Sequence, residues 1–160
     1  MSLDSPPAPR LDATRFRFGV AAARFNARLV DALLARLVAG LAAAGVRPAH
    51  LTLVRVPGSH EVPWAAQQLA ASGRCDCVIG LGVLIGGDTN HHEMVGASVS
   101  HALQRVALDT GVPVINGVIV TATVAQARTR CTGRIDRGAE FARAALEMAA
   151  LRRGRKGGRA

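Results

Sequence analysis

The sequence predicts an α/β fold: a three-layer α/β/α sandwich with a four-stranded parallel sheet. Two observations carry this expectation. Short apolar runs alternate with longer amphipathic stretches in the order β-α-β-α-β-α-β-α-α. That is the pattern of a parallel sheet covered by helices on both faces, with right-handed crossovers. The chain has 160 residues and is 49% hydrophobic, which suits one domain with a sizeable core. Tyr is absent and aromatics make up 3%, so that core must be aliphatic and rich in Ala.

The elements follow in order. Residues 1–14 are Pro-rich and polar and are expected to be a flexible segment. The run 16–23 reads as a buried strand, and 27–45 as a long amphipathic helix stopped at Gly45. Residues 51–56 form a second strand, broken by Pro57-Gly58, and a helix opens near Pro63. The third strand covers 75–85 and leads through a Gly-rich loop into a second long helix from His91. A fourth strand spans 113–120, a short helix falls within 122–131, and the last helix spans 137–153. The domain is placed at 15–151, with 152–160 as a basic disordered tail.

Charge and cysteine content narrow the function classes. The net charge is +9, but Arg152, Arg153, Arg155, Lys156 and Arg159 crowd the last ten residues; without them it is +4. Two readings stand: a solvated, frayed end or an electrostatic arm for a polyanion. No interleaved aromatics or nucleic-acid motif accompany the arm, which argues against nucleic acid as a partner. Cys75, Cys77 and Cys131 are odd in number and lack C-x-x-C spacing, so inert or buried thiols are expected. No secretory pattern opens the chain, and no apolar run reaches the roughly 18 residues of a membrane span. A cytoplasmic protein without membrane contact is the expectation.

Open parallel sheets bind ligands beyond the carboxyl ends of their strands. That rule marks four segments: Arg24-Phe25-Asn26, Gly58-Ser59-His60-Glu61, Gly86 to His92, and Asn116 onward. The third has G-x-x-x-x-G spacing from Gly82 to Gly87, but Asp88 stands where a nucleotide-binding loop needs Lys. Gly80 and Gly82 lack the third glycine of a dinucleotide fingerprint, since Ile85 stands there. The loop still offers amide N–H groups to an anion. His91, His92 and Glu93 are adjacent, and adjacent helical residues point about 100° apart, which argues against a metal site. A solvent-facing pair or a single acid/base histidine are the readings that stand. Phe25 is either a core cap or a stacking face, and Arg130 either a helix charge or a phosphate clamp.

Together these segments resemble the 6,7-dimethyl-8-ribityllumazine synthase family. Its A-R-F-N segment is matched by Ala23 to Asn26, and V-P-G-x-x-E-x-P by Val56 to Pro63. The loop G-x-x-I-R-G-x-T-x-H-F-E is matched, with changes, by Gly82 to Glu93. P-V-x-x-G-V follows at Pro113 to Val118, Q-A-x-x-R at Gln126 to Arg130, and A-x-x-A-L-E-M at Ala142 to Met148. The likeness runs from about Phe16 to Leu151.

The resemblance implies a flavodoxin-like winding, with the N-terminal segment a candidate to add to a neighbour's sheet. It also implies the condensation of 5-amino-6-(D-ribitylamino)uracil with 3,4-dihydroxy-2-butanone 4-phosphate. The products are 6,7-dimethyl-8-ribityllumazine, phosphate and water, made in riboflavin biosynthesis without a cofactor or metal. By analogy Phe25 stacks on the pyrimidine, with Asn26 beside it in the binding set. Ser59, His60 and Glu61 contact the uracil substrate, and backbone groups of Val83, Leu84 and Ile85 hold the ring edge. Asp88 and Thr89, with Arg130, take the phosphate-bearing substrate, and His91 is the catalytic histidine. Asn116 lies where a neighbouring subunit completes the pocket. The family implies a homopentamer, in some members a sixty-subunit capsid, and association with riboflavin synthase.

This sequence departs from the family pattern at several places. Gly86 replaces an Arg, and His60 and His92 replace aromatics. Asp136-Arg137-Gly138 replaces Asn-Lys-Gly, and Arg137 joins the substrate-binding candidates. These changes keep an alternative in view: a non-catalytic flavin- or lumazine-binding protein, or a capsid-forming shell, on the same scaffold.

Overall fold

A computed structural model describes residues 11–157. Strand β1 (Phe18–Ala23) leads to helix α1 (Ala27–Ala43), β2 (Leu51–Val56) to α2 (Val62–Ala71), and β3 (Cys77–Ile85) to α3 (His91–Thr110). Strand β4 (Val114–Thr121), α4 (Val124–Cys131) and α5 (Arg137–Gly157) complete the chain. The four strands are parallel in the order β2-β1-β3-β4. This is the doubly wound, flavodoxin-like arrangement, in which the winding reverses between β1 and β3.

Two hydrophobic clusters sandwich the sheet. Val20 and Ala22 of β1 face the layer of α1, α4 and α5, while Ala21 and Ala23 face α2 and α3. That is the period-two alternation of a strand buried on both sides. Helix α1 buries one stripe, Val30, Leu33, Leu37 and Leu41, at the three- and four-residue spacing of a helix face. In β3, Ile79, Leu81 and Val83 face the α1 layer, whereas Gly80 and Gly82 face the other. A Cβ on Gly80 would stand 2.8 Å from a Val62 methyl, and one on Gly82 would stand 2.4 Å from Ser59 Oγ. The α2 layer therefore sits close enough to β3 that only glycine fits beneath it.

Four expectations need correction. Helix α5 runs on to Gly157, past the start of the expected disordered tail. Arg152 donates to the carbonyls of Cys75 (2.8 Å) and Gly111 (3.1 Å), and Arg153 pairs with Asp76 at 2.8 Å and lies 5.1 Å above the Phe16 ring. The side chains of Arg155, Lys156 and Arg159 lie outside the described residues. Of the expected flexible segment, residues 11–14 are described, and Ala13 there is fully buried and donates its N–H to Ala44 O at 3.0 Å. Residues 1–10, on which most of the expected addition to a neighbour's sheet rests, lie outside the described residues. Asn116 is not in a loop: it sits inside β4 opposite Gly80, because the ladder with β3 continues to Thr121. Finally, β2 is not covered on both faces. It is an edge strand with only Val56 buried, and Leu53 is exposed.

Candidate active site

Ala23 pairs with Val56 and Ile85 with Thr121, so all four strands deliver their carboxyl ends to one edge. The chain leaving β1 is fixed there by backbone bonds from Arg24 N–H to Val56 O (2.9 Å) and Phe25 N–H to Pro57 O (3.1 Å). Asn26 follows in the left-handed region, at φ 56°. Its side chain does not cap α1; instead Nδ2 donates to Val83 O at 2.9 Å. This bond ties the end of β1 to the end of β3 across the point where the winding reverses. Asn tolerates that backbone conformation better than other residues with a side chain, apart from Asp.

After β2 the chain makes a short 3-10 turn, Ser59–Glu61. Glu61 folds back so that its Oε2 accepts the Gly58 N–H at 2.8 Å. The turn drives Ser59 inward to 4% exposure against Gly82, and its Oγ has no hydrogen-bond partner. After β3, Gly86 N–H bonds to Thr121 O at 2.8 Å, and a Cβ at Gly86 would meet Ala122 O at 2.6 Å. The position that carries Arg in the family pattern is thus held against backbone here. The loop then opens through Gly87 and enters α3 at His91 and His92. Asn90 provides no side-chain cap for the first amides of α3, of which the Glu93 N–H turns back to Asn90 O at 3.1 Å.

These segments enclose a cleft of about 510 Å³. Phe25 and Asn26 form one wall, and Gly58, Ser59 and His60 another. Val83, Leu84 and Ile85 line it from β3, and Gly87, Thr89, His91, His92 and Val95 close it from the α3 side. The Phe25 ring is 73% exposed and also borders a shallower depression with Arg24 and Pro57, so it stands as a fin between two hollows. Among the described residues no Arg or Lys lines the cleft. Among the described residues, no group of three His, Cys, Asp or Glu could hold a metal ion.

Nine of the candidate residues named from sequence meet in this cleft, and five stand outside its lining. Glu61 is turned onto Gly58, with His60 Nδ1 at 4.0 Å from its other oxygen. Asp88 is exposed on the loop between two lining residues. Asn116 Oδ1 accepts the Val118 N–H at 3.0 Å, inside β4. Arg130 lies on α4 and donates to Gln126 O at 3.1 Å, and Arg137 pairs with Glu140 at the start of α5. The residues not selected from sequence include His92 and Val95. Val95 was legible, since it is four residues after His91 and shares its helix face. His92 lines the cleft because the cleft meets the end of the helix rather than one side.

The three thiols take no part. Cys75, Cys77 and Cys131 are free and buried, and burial pushes all three up, Cys131 to about 11. They are therefore protonated at neutral pH.

Doubly wound α/β proteins hold ligands in the crevice at the reversal of strand order. This crevice offers an aromatic face, proton-carrying imidazoles and helix-start amides, the equipment of an enzyme acting on a planar, anionic or phosphorylated small molecule. The comparisons agree and go further. A family model described as 6,7-dimethyl-8-ribityllumazine synthase matches residues 15–153. A protein of that name from Halorhodospira halophila (strain DSM 244 / SL1) is 45% identical over 138 residues, covering 86% of this chain and 88% of its own. One from Stenotrophomonas maltophilia (strain K279a) is 43% identical, covering 84% and 88%, and one from Polaromonas sp. (strain JS666 / ATCC BAA-500) is 40% identical, covering 89% and 90%. The chain belongs to the 6,7-dimethyl-8-ribityllumazine synthase family. No helix among the described residues is long and apolar enough to cross a membrane.

Proposed function

We propose that this chain is a transferase that condenses 5-amino-6-(D-ribitylamino)uracil with 3,4-dihydroxy-2-butanone 4-phosphate, a step of riboflavin biosynthesis. The observation that carries the reading is the family match over 15–153 together with Phe25, Ser59 and His91 around one cleft. The ring amine adds to the ketone and forms an imine with loss of one water. A proton then leaves C3 as phosphate departs from C4, the resulting enol tautomerises to a new carbonyl at C3, and closure of the ribitylamino nitrogen onto that carbonyl releases a second water. No step needs an oxidant or reductant. The main demands are holding two reactants together and moving protons.

Phe25 stacks on the pyrimidine, with Asn26, Ser59, His60 and the Val83–Ile85 backbone at its edges. His91 takes and returns protons. Asp88 and Thr89 meet the phosphate-bearing substrate from the α3 side. Glu61, Asn116, Arg130 and Arg137 do not line the cleft of a single copy, and the reading assigns the completion of the site to a homo-oligomer. Arg130 and Arg137 then bring the guanidinium groups that this copy's lining lacks. The exposed Leu53 and Val120 on the two edge strands, and the half-open Phe25 fin, support such an assembly. A homopentamer, a sixty-subunit capsid, association with riboflavin synthase and a cytoplasmic location belong to the same reading and rest on family resemblance.

The test is to mix the two substrates with purified protein and follow the product's absorbance. The expected result is a rate above the uncatalysed reaction. A well-folded protein with no excess rate overturns the proposal, and tight flavin binding without turnover identifies a binding protein in its place.

A further inference from the structure

We infer that His92 is a second functional imidazole of the cleft, a binding residue for the phosphate-bearing substrate. The inference rests on the reading of the cleft given above and names a residue that reading leaves idle. His92 lines the same cleft as His91 and is half-buried. Its Nδ1 is shielded from solvent and has no hydrogen-bond partner. A neutral imidazole has one donor and one acceptor nitrogen, and a protonated one has two donors. An unpartnered Nδ1 is best borne as the bare acceptor, since an orphaned buried N–H is the rarer case. That leaves the proton of the neutral ring to Nε2, which we take as the donor toward the cleft that His92 lines.

The surroundings of His92 select the phosphate end of a substrate over the ring end. The apolar side of the cleft is built by Phe25, Val83 and Ile85 and suits a planar heterocycle. His92 stands in the first turn of the 20-residue helix α3, close in sequence to Thr89 and to amides that no side chain caps. Peptide dipoles give that end partial positive charge and favour an anion there. Gly87 has open space around it, with nothing within 4 Å of where a Cβ would lie. Among the described residues no Arg or Lys lines the cleft, and position 86 is closed to a side chain by Ala122 O at 2.6 Å. His92 joins Thr89 and His91 among the hydrogen-bonding groups on that side, and among these three it is the one with a solvent-shielded, unpartnered nitrogen. Its replacement of an aromatic and the loss of Arg at Gly86 occur on the same side of the cleft, the second removing a donor and the first supplying one.

The experiment varies each substrate separately with wild type, His92→Phe and His92→Gln. Losing one hydrogen bond to an anion corresponds to about a tenfold change in affinity. We expect His92→Phe to raise KM for the butanone phosphate about tenfold, with KM for the pyrimidine unchanged. His92→Gln, which keeps a donor, should recover most of that loss. In parallel, inorganic phosphate is titrated into the protein while the imidazole C–H resonances are followed by NMR. The resonance that vanishes in His92→Phe should shift with phosphate. Equal effects on both KM values, no effect on either, or a stationary His92 resonance overturns the inference. If the wild type shows no turnover, the synthase reading fails and the phosphate titration alone decides the role of His92. If His92→Phe does not fold, His92→Gln and the titration carry the decision.

Discussion

At the amino-terminal end of the sheet, charged groups are paired and elements are laced together. Asp76 accepts from Arg153 and from the Arg17 N–H, Arg152 holds two carbonyls, and Arg153 covers Phe16. At the carboxyl end the opposite holds. Ser59 Oγ and His92 Nδ1 are buried without partners, Phe25 stands in solvent, and the start of α3 is uncapped. An unmet buried polar group costs about 1–3 kcal/mol, so the carboxyl end is built at the expense of stability. Among the described residues the amino-terminal end has one such orphan, His50 Nδ1, on a ring whose Nε2 meets Arg47. One end fastens the sheet and the other carries the candidate site.

This contrast breaks if substitutions at the two ends have similar consequences. The largest effect on turnover is expected from His91→Ala, which removes the proposed proton carrier from the cleft wall. General acid–base groups contribute roughly 10²- to 10⁴-fold, so kcat should drop by about a hundredfold or more. The melting temperature should stay within a degree or two, about what an exposed surface change produces, since His91 is exposed. A large fall in melting temperature would show that His91 serves the fold instead. Gly82→Ala comes next. Its methyl would stand 2.4 Å from Ser59 Oγ and force the Ser59–Glu61 turn outward. Overpacking of this kind costs about 1–3 kcal/mol, so both stability and pyrimidine affinity should fall. An unchanged KM for the pyrimidine would remove Ser59 from the site.

The two ends were also not equally legible. The binding edge could be read because it follows from local signals: a strand ends, a turn residue appears, and the next residues must lie at the edge. Phe25, Asn26, Ser59 and His91 all stand directly after strands or at a helix start. The fastening could not be read. Arg152 and Arg153 look like a solvated basic run in composition, and their partners Cys75 and Asp76 lie 77 positions away. Helix propensity and charge patterning see neighbours in sequence, and this clamp is made of neighbours in space. Asn116 illustrates a third case. It falls inside the expected strand 113–120 and also among the expected edge segments; the β3 ladder runs through it to Thr121, and Gly117 fits because a Cβ there would stand 2.7 Å from a Leu81 methyl. Arg130 and Arg137 lie outside the cleft of the single chain; on the proposed reading they act in a site shared between copies, which one copy's geometry does not specify.

The fastening end gives the next expectation. Arg153→Ala leaves the Asp76 carboxylate, whose side chain is 13% exposed, with only the Arg17 N–H. Loss of a partner from a partly buried pair of this kind costs about 2 kcal/mol. Thermal melting should record that loss with kcat unchanged; an equal fall in kcat would mean that the clamp positions the cleft through β3.

The smallest effect is the dependence of stability on acid. Partial burial raises the Asp76 carboxyl, but the Arg153 hydrogen bonds, the Arg17 N–H and the charges of Arg153 and Arg152 outweigh it and hold the group below its ordinary value. A carboxyl that titrates lower when folded stabilises the fold fully above the unfolded carboxylate range, near pH 4. That contribution disappears as pH falls through the lower folded value. Melting curves taken from about pH 6 downward should therefore steepen below about pH 4 in the wild type. Asp76→Asn should be less stable at neutral pH and should show a flatter decline in acid. If the two declines run parallel, the acid sensitivity belongs to other carboxylates, and the amino-terminal end is held by packing around Phe16 and Ala13 more than by its charges.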